Sequence, residues 1–279
     1  SATRTDSAVT VPSLPGRDYW SPDVFAAERE RLFYGSWFCV AREEQVAAPG
    51  DYLPVQVVDE SVILMRGRDG VLRGFYNVCR HRGARLCDGP GHASKAIKCP
   101  YHAWAFGLDG ALLGTPNVHE DRGFRRADHG LWPVAVEVWE GMVLVNLAAR
   151  PQPLREQIAA SGEDADGYAE YEVARLRSAR TRTYEVAANW KIVIDNYMEC
   201  LHCPTVHPEL VERVPLFKRG RVEEEDGSAG TPLAPGLETL TLSGKAVVPK
   251  LPNVRGAAAE RYFGRLIFPN LILDYLPES

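Results

Sequence analysis

The chain has 279 residues, 45% of them hydrophobic and 25% charged, and 32 Lys plus Arg stand against 37 Asp plus Glu for a formal net charge of -5. That length buries a sizeable core and fits one large or two modest domains. The acidic balance gives no basic footprint for nucleic acid or an anionic membrane surface, and no apolar run reaches the roughly 18–20 residues that span a bilayer.

The opening stretch SATRTDSAVTVPSLPG lacks the basic and apolar regions of a signal peptide and reads as a mobile tail. The absent initiator Met points to processing or an artificial start. Residues 23–35, DVFAAERERLFYG, follow a Ser-Pro-Asp start signal and predict an amphipathic helix ended by Gly35. From Asp51 onward, short β-rich runs broken by DE, RDG and EG turns predict a small all-β domain over residues 46–150. ARPQPL at 149–154 marks a boundary. Beyond it the pattern predicts a helical stretch over 155–175, a strand in RTRTYEVAANW, and a helix over 190–202 stopped by Pro204. The run EEEDGSAGTP at 223–232 reads as a mobile acidic loop, and RLIFPNLILDYLPES as strand.

Six cysteines are too sparse for a disulfide-dense secreted scaffold, and four lie close to histidines. A reducing, cytoplasmic setting and a metal role follow as expectations. Cys79-x-His81 and Cys99-x-x-His102 occupy two turn-prone segments, with 17 residues between His81 and Cys99. Two thiolates and two imidazoles can saturate a tetrahedral zinc, or hold a two-iron cluster with cysteines on one iron and histidines on the other. Each pair contains one Cys and one His, and that interleaving suits the cluster, since each loop then gives one donor to each iron. Cys87, between the loops, reads as a small buried hydrophobe.

The second constellation is DNYMECLHCPTVH, from Asp195 to His207. On a helix, Asp195, Glu199 and His202 are spaced i, i+4, i+7 and share a face, with Asn196 turned away by about 100°. His207 follows past Pro204, so His202 and His207 can converge on one metal from two directions. Two histidines and a carboxylate leave open positions on Fe(II). Cys200 and Cys203 mimic zinc ligands, but Cys200 faces away from His202 on an ideal helix, and both read as packing residues.

These two motifs, with Arg82, Gly83, Pro100, Tyr101 and Trp104 flanking the first and NWKIVIDNYMECLHCPTVHPE carrying the second, resemble the α subunits of Rieske non-haem iron oxygenases. The resemblance implies an α+β chain: an N-terminal tail and helix (1–45), an all-β Rieske domain (46–150) inserted near the N-terminus of a helix-plus-antiparallel-sheet catalytic domain, and that catalytic domain (151–279), incomplete at its C-terminus. It places Cys79 and Cys99 on the inner iron of a [2Fe–2S] cluster and His81 and His102 on the outer iron. His202 and His207 become ligands of a mononuclear Fe(II), and Glu199 the carboxylate that links His102 of one subunit to the iron site of the next, so that a homo-oligomer, usually a trimer, is needed. Asp195 and Asn196 become supporting catalytic candidates. The family's third ligand is an Asp well beyond the histidines; Asp274 stands too early for it.

The wording ECLHCPTVHP is most similar to the branch acting on choline, glycine betaine and carnitine, although Leu201 stands where an aromatic is expected. This implies O2-dependent hydroxylation or N-dealkylation of a small quaternary ammonium compound, with Trp190 and Tyr197 as candidates for an aromatic box. No G-x-G-x-x-G follows a strand, so electrons from NAD(P)H are expected through a separate reductase or ferredoxin. A ring-hydroxylating or natural-product oxygenase, and an electron-transfer or structural metalloprotein, are the alternatives.

Overall fold

The computed structural model describes residues 12–116, 118, 123–220 and 230–278. The expected tail up to residue 11 and the acidic run from Glu223 to Ala229 lie outside them. Thr231 and Pro232, at the end of that run, form a strand instead of loop.

The predicted first helix spans Pro22–Glu28 (α1) and continues as a wider π turn over Arg29–Phe33. Gly35 then lets the chain leave: a Cβ there would lie 2.8 Å from the Arg31 carbonyl oxygen. Ten strands follow among the described residues: β1 Phe38–Arg42, β2 Asp51–Val57, β3 Glu60–Arg66, β4 Leu72–Tyr76, β5 Gly91–His92, β6 Ala96–Lys98, β7 Ala105–Gly107, β8 Leu112–Gly114, β9 Pro133–Trp139 and β10 Met142–Asn146. Seven make one antiparallel sheet in the order β1-β10-β9-β4-β3-β2-β5, and β6-β7-β8 make a second. Because β1 pairs with β10, the sheet begins ahead of the expected boundary at residue 46.

Side chains alternate across a strand, so a strand buried on both faces reads as an unbroken apolar run. β3 is such a strand. Val62 and Leu64 enter one core with Val46, Val57, Val134, Val143 and Val145, while Ile63 and Met65 enter another with Phe75, Trp104 and Phe106 under the small sheet. β10 does the same. Val143 and Val145 face the first core, whereas Met142 and Leu144 face a third, shared with Leu154, Ile158, Tyr168, Tyr171, Phe263 and Ile267. That third core joins the two β-rich halves of the chain.

Past residue 150 come α2 Leu154–Ala160, α3 Trp190–Met198, α4 Cys203–Val206, α5 Pro208–Arg213, and a sheet of β11 Thr231–Pro232, β12 Arg261–Ile267 and β13 Leu271–Tyr275 in that order. Several expectations are corrected here. Residues 155–175 hold one short helix and two 3-10 turns, not one long helix. Among the described residues the predicted strand at 180–190 is unpaired and exposed, with Tyr184 and Val186 in solvent: β propensity needs a neighbour to pair with, and none of the described strands adjoins it. The terminal run is two strands, antiparallel from Phe263↔Tyr275 to Ile267↔Leu271. No helix of the described residues is long and apolar enough to cross a membrane.

Candidate metal centres and their cavity

Two loops with the same backbone turn carry the first four candidates. The Cys79 N–H donates to the Ala84 carbonyl at 2.8 Å and the Cys79 carbonyl accepts from the Gly83 N–H at 3.0 Å; in the other loop, Cys99 N–H donates to Trp104 and the Cys99 carbonyl accepts from Ala103, at 2.8 and 3.0 Å. The fourth residue after each cysteine is left-handed, Gly83 at φ 71° and Ala103 at φ 58°. Gly supplies that conformation freely, and Ala does so at a cost. The twin turns bury Cys79 and Cys99 beneath the loops, with the two side chains within hydrogen-bond reach; burial, and then Cys99, push the Cys79 thiol up.

His81 and His102 sit above them, ring centroids 4.7 Å apart. His81 stacks on Trp104 at 4.7 Å and 7°. Its Nδ1 is buried without a hydrogen-bond partner, and burial, then the charges of His102 and Arg82, lower its pKa and keep the ring neutral. A buried nitrogen lone pair left unpaired is costly in a native protein unless something binds it. His102 is exposed, with Tyr101 against it at 3.8 Å. Cys87 packs at the edge of this core and its thiol is pushed up to about 12 by burial, in keeping with an inert role.

The second constellation sits where α3 stops. Asn189 caps the helix by accepting from Lys191 N–H at 3.0 Å. Helix geometry ends at Met198, and Glu199 is extended at φ -132°, ψ 160°. The expected face of Asp195, Glu199 and His202 is therefore not continuous. Asp195 turns outward and accepts from the Tyr19 hydroxyl at 2.8 Å, away from the cavity that Asn196, Glu199, His202 and His207 line. Glu199 instead reaches its partner through a turn. Its Oε1 accepts from His202 Nδ1 at 2.7 Å, and Oε2 accepts from the Leu201 N–H. The His202 bond holds the Glu199 carboxyl below its ordinary value and leaves Nε2 as the ring's remaining donor atom. Pro204 and Pro208 open α4 and α5, a position that suits proline. The turn between them brings His207 back, its ring 5.4 Å from that of His202 and nearly perpendicular to it.

Cys200 and Cys203 are packing residues, buried with Val214 and Phe217, but they are also joined to one another by a disulfide. The ideal-helix geometry that turned Cys200 away from His202 does not apply, because the helix has already ended at Met198. Among the described residues, no three His, Cys, Asp or Glu converge on one point; the donors come as pairs.

The cavity beside His202 and His207 has a volume of about 1330 Å³. Its lining is aromatic and acidic: Tyr171, Tyr197, Tyr262, Phe263 and Tyr275 are among its rings, and Glu163, Asp164, Glu170, Glu199 and Asp274 face it against, among the described residues, a single guanidinium, Arg265, which pairs with Glu163 at 3.1 Å. Of the two box candidates, Tyr197 lines the cavity and Trp190 packs on Phe33 and Phe268, at 5.3 and 5.9 Å. Sequence reasoning also missed the N-terminal clamp on α3. Glu28 accepts from Lys191 Nζ at 2.6 Å and from Trp190 Nε1 at 2.9 Å, across more than 160 residues of sequence. Nothing local signals that contact.

Residues 36–138 match the Rieske [2Fe-2S] domain family, and residues 173–279 match the catalytic domain of ring hydroxylating alpha subunits. The chain belongs to the Rieske non-haem iron oxygenase α subunits, and these domains imply a [2Fe–2S] cluster and a non-haem iron. It is 38% identical over 213 residues to the carnitine monooxygenase oxygenase subunit of Acinetobacter baumannii, which is 76% of this chain and 56% of that protein. It is 41% identical over 201 residues to the glycine betaine monooxygenase oxygenase subunit of Chromohalobacter salexigens, 71% of this chain and 44% of that one. The chain thus spans about half the length of the curated relatives it matches. The quaternary ammonium Rieske monooxygenase CntA in complex with gamma-butyrobetaine superimposes with a TM-score of 0.66 at 38% identity, over 70% of this chain and 56% of that chain. Naphthalene 1,2-dioxygenase from Rhodococcus sp. shares the fold, with a TM-score of 0.69 at 22% identity, over 91% of this chain and 63% of that chain.

The residues present fit both groups. The orphaned His81 Nδ1 and the adjacent buried thiols of Cys79 and Cys99 form a donor set suited to the cluster. The His202–His207 pair, one ring fixed by a carboxylate on its far nitrogen, suits an open iron.

Proposed function

We propose that this chain is part of a terminal oxygenase component that uses O2 to hydroxylate or oxidatively N-dealkylate a small quaternary ammonium compound, with electrons supplied from NAD(P)H by a separate reductase. The observation that carries this reading is the juxtaposition of His202 and His207 with an aromatic, carboxylate-rich cavity. Negative walls favour a cation, and ring faces suit one that has no hydrogen bonds to donate. The names of the carnitine and glycine betaine monooxygenase relatives support the same substrate class.

We assign Cys79 and Cys99 to the inner iron, His81 and His102 to the outer iron, and His202 and His207 to the mononuclear Fe(II). When bound, the cluster supplies one-electron relay and the Fe(II) supplies oxygen activation. Glu199 fixes the tautomer of His202 by taking the Nδ1–H, so that Nε2 carries the lone pair. Asn196 lines the cavity beside it and supports the site; Asp195 holds the helix to Tyr19. His102 is the exposed member of its pair, which supports an electron exit toward Glu199 of a neighbouring copy in a homotrimer. Free Cys39, Cys79, Cys87 and Cys99 support a reducing, cytoplasmic setting, whereas the Cys200–Cys203 disulfide points the other way.

The test is an anaerobic iron, sulfide and zinc count with spectra before and after reduction, followed by NAD(P)H and O2 consumption with a reductase and betaines or aromatic acids as substrates. Two sulfides and three irons per chain, with consumption driven by a quaternary ammonium compound, are expected. Zinc without sulfide overturns the oxygenase reading; consumption driven by aromatic acids alone overturns the substrate class.

A further inference from the structure

Asp274 is the late aspartate that the iron site does not absorb. It lies in β13 directly across from Gly264 in β12 and faces the cavity. Its Oδ1 accepts from the Tyr197 hydroxyl at 2.9 Å and also from the Tyr262 hydroxyl. Both tyrosines are partly buried and shifted upward, by burial first and then by Asp274, so their hydroxyls stay protonated. Two neutral donors therefore hold one oxygen of the carboxylate without cancelling its charge, and the residue remains exposed to the cavity.

The arrangement depends on a missing side chain. A Cβ at Gly264 would lie 2.7 Å from the Tyr197 hydroxyl, 2.8 Å from the Tyr262 hydroxyl and 3.1 Å from Asp274 Oδ1. Gly in a strand interior marks a place where something must approach closely; here it is the three polar groups. Tyr197 reaches this point from α3, immediately before Met198 and Glu199, so the helix that leads into the iron-site motif also helps fix the carboxylate. Arg265, next along β12, lines the same cavity and pairs with Glu163 at 3.1 Å.

We propose that Asp274 is the cation-recognition residue of this cavity, an anionic anchor that orients the substrate's ammonium group among the surrounding rings. The inference rests on the quaternary ammonium reading above and deepens it by naming the residue that senses the charge. Asp274 acts by charge and position; the bond-breaking chemistry lies elsewhere in the cavity.

The experiment is calorimetric binding of choline and of its uncharged isostere 3,3-dimethylbutan-1-ol to the iron-loaded, anaerobic protein, where no turnover occurs. Wild type is expected to prefer choline. Asp274→Asn keeps an oxygen acceptor for both tyrosines and removes the charge. It should weaken choline about fivefold, as expected for one part-exposed ion pair, and leave the isostere unchanged. Tyr262→Phe keeps the charge and should retain the preference, guarding against a general collapse of the cavity. Wild-type preference that survives in Asp274→Asn, or equal weakening of both ligands, overturns the role of Asp274 alone. A wild type with no preference for choline overturns this inference together with the substrate class.

Discussion

Truncating Glu28 asks whether the N-terminal segment holds the helix that leads into the iron-site motif. Glu28 ends α1 and spends both carboxylate oxygens on α3, one on Lys191 Nζ at 2.6 Å and one on Trp190 Nε1 at 2.9 Å. The Lys191 side chain is 7% exposed and that of Glu28 17%, so water cannot replace the lost partner. Removing one member of a buried pair costs about 3–5 kcal/mol, because the other charge stays behind. An orphaned indole N–H adds about 1 kcal/mol. A loss of roughly 5 kcal/mol in a chain of this size lowers Tm by about 10–20 °C. Glu28→Gln retains an acceptor for Trp190 and loses the charge, and should fall between wild type and Glu28→Ala. Adding Lys191→Met to Glu28→Ala should recover part of the loss, since the stranded charge is then gone. Scanning calorimetry or thermal fluorescence measures all four proteins. A Glu28→Ala midpoint within about 2 °C of wild type would refute the clamp.

Two further outcomes follow from the twin loops and from Glu199. Gly83→Ala should destabilise the chain by about 1 kcal/mol, because Ala resists φ 71°, whereas Ala103→Gly at φ 58° should be neutral or stabilising within about 1 kcal/mol; equal losses in the two variants would deny that the loops are conformational twins. Glu199 has a carboxyl pKa held down by the His202 bond, so its contribution to stability is present above its ordinary value and fades as pH falls through the lowered one. Glu199→Gln should therefore flatten the acid limb of a Tm-against-pH curve, and an unchanged limb would show that the bond does not persist in solution.

The two candidate metal motifs were legible in sequence because their residues lie in local loops. Cys79 and His81, or Cys99 and His102, are separated by one or two residues, and a single tight turn sets each pair. The same holds for Glu199, His202 and His207, whose turn is punctuated by Pro204 and Pro208. The buried strands were legible too, since VILM and MVLV are apolar without interruption. What sequence could not decide is which neighbour each surface meets. Local spacing put Asp195 beside Glu199, but α3 ends between them, and Tyr19, 176 residues away, claims the carboxylate. β propensity proposed a strand at 180–190, and among the described residues no partner strand adjoins it. Val143 and Leu144 read alike in sequence yet serve different cores. Asp274 and Tyr262 reach the cavity only because β12 and β13 pair beneath α3. Short-range geometry fixes donors within a turn, whereas pairing, helix ends and cavity walls depend on contacts between residues far apart in the chain, and those exist only once the whole has packed.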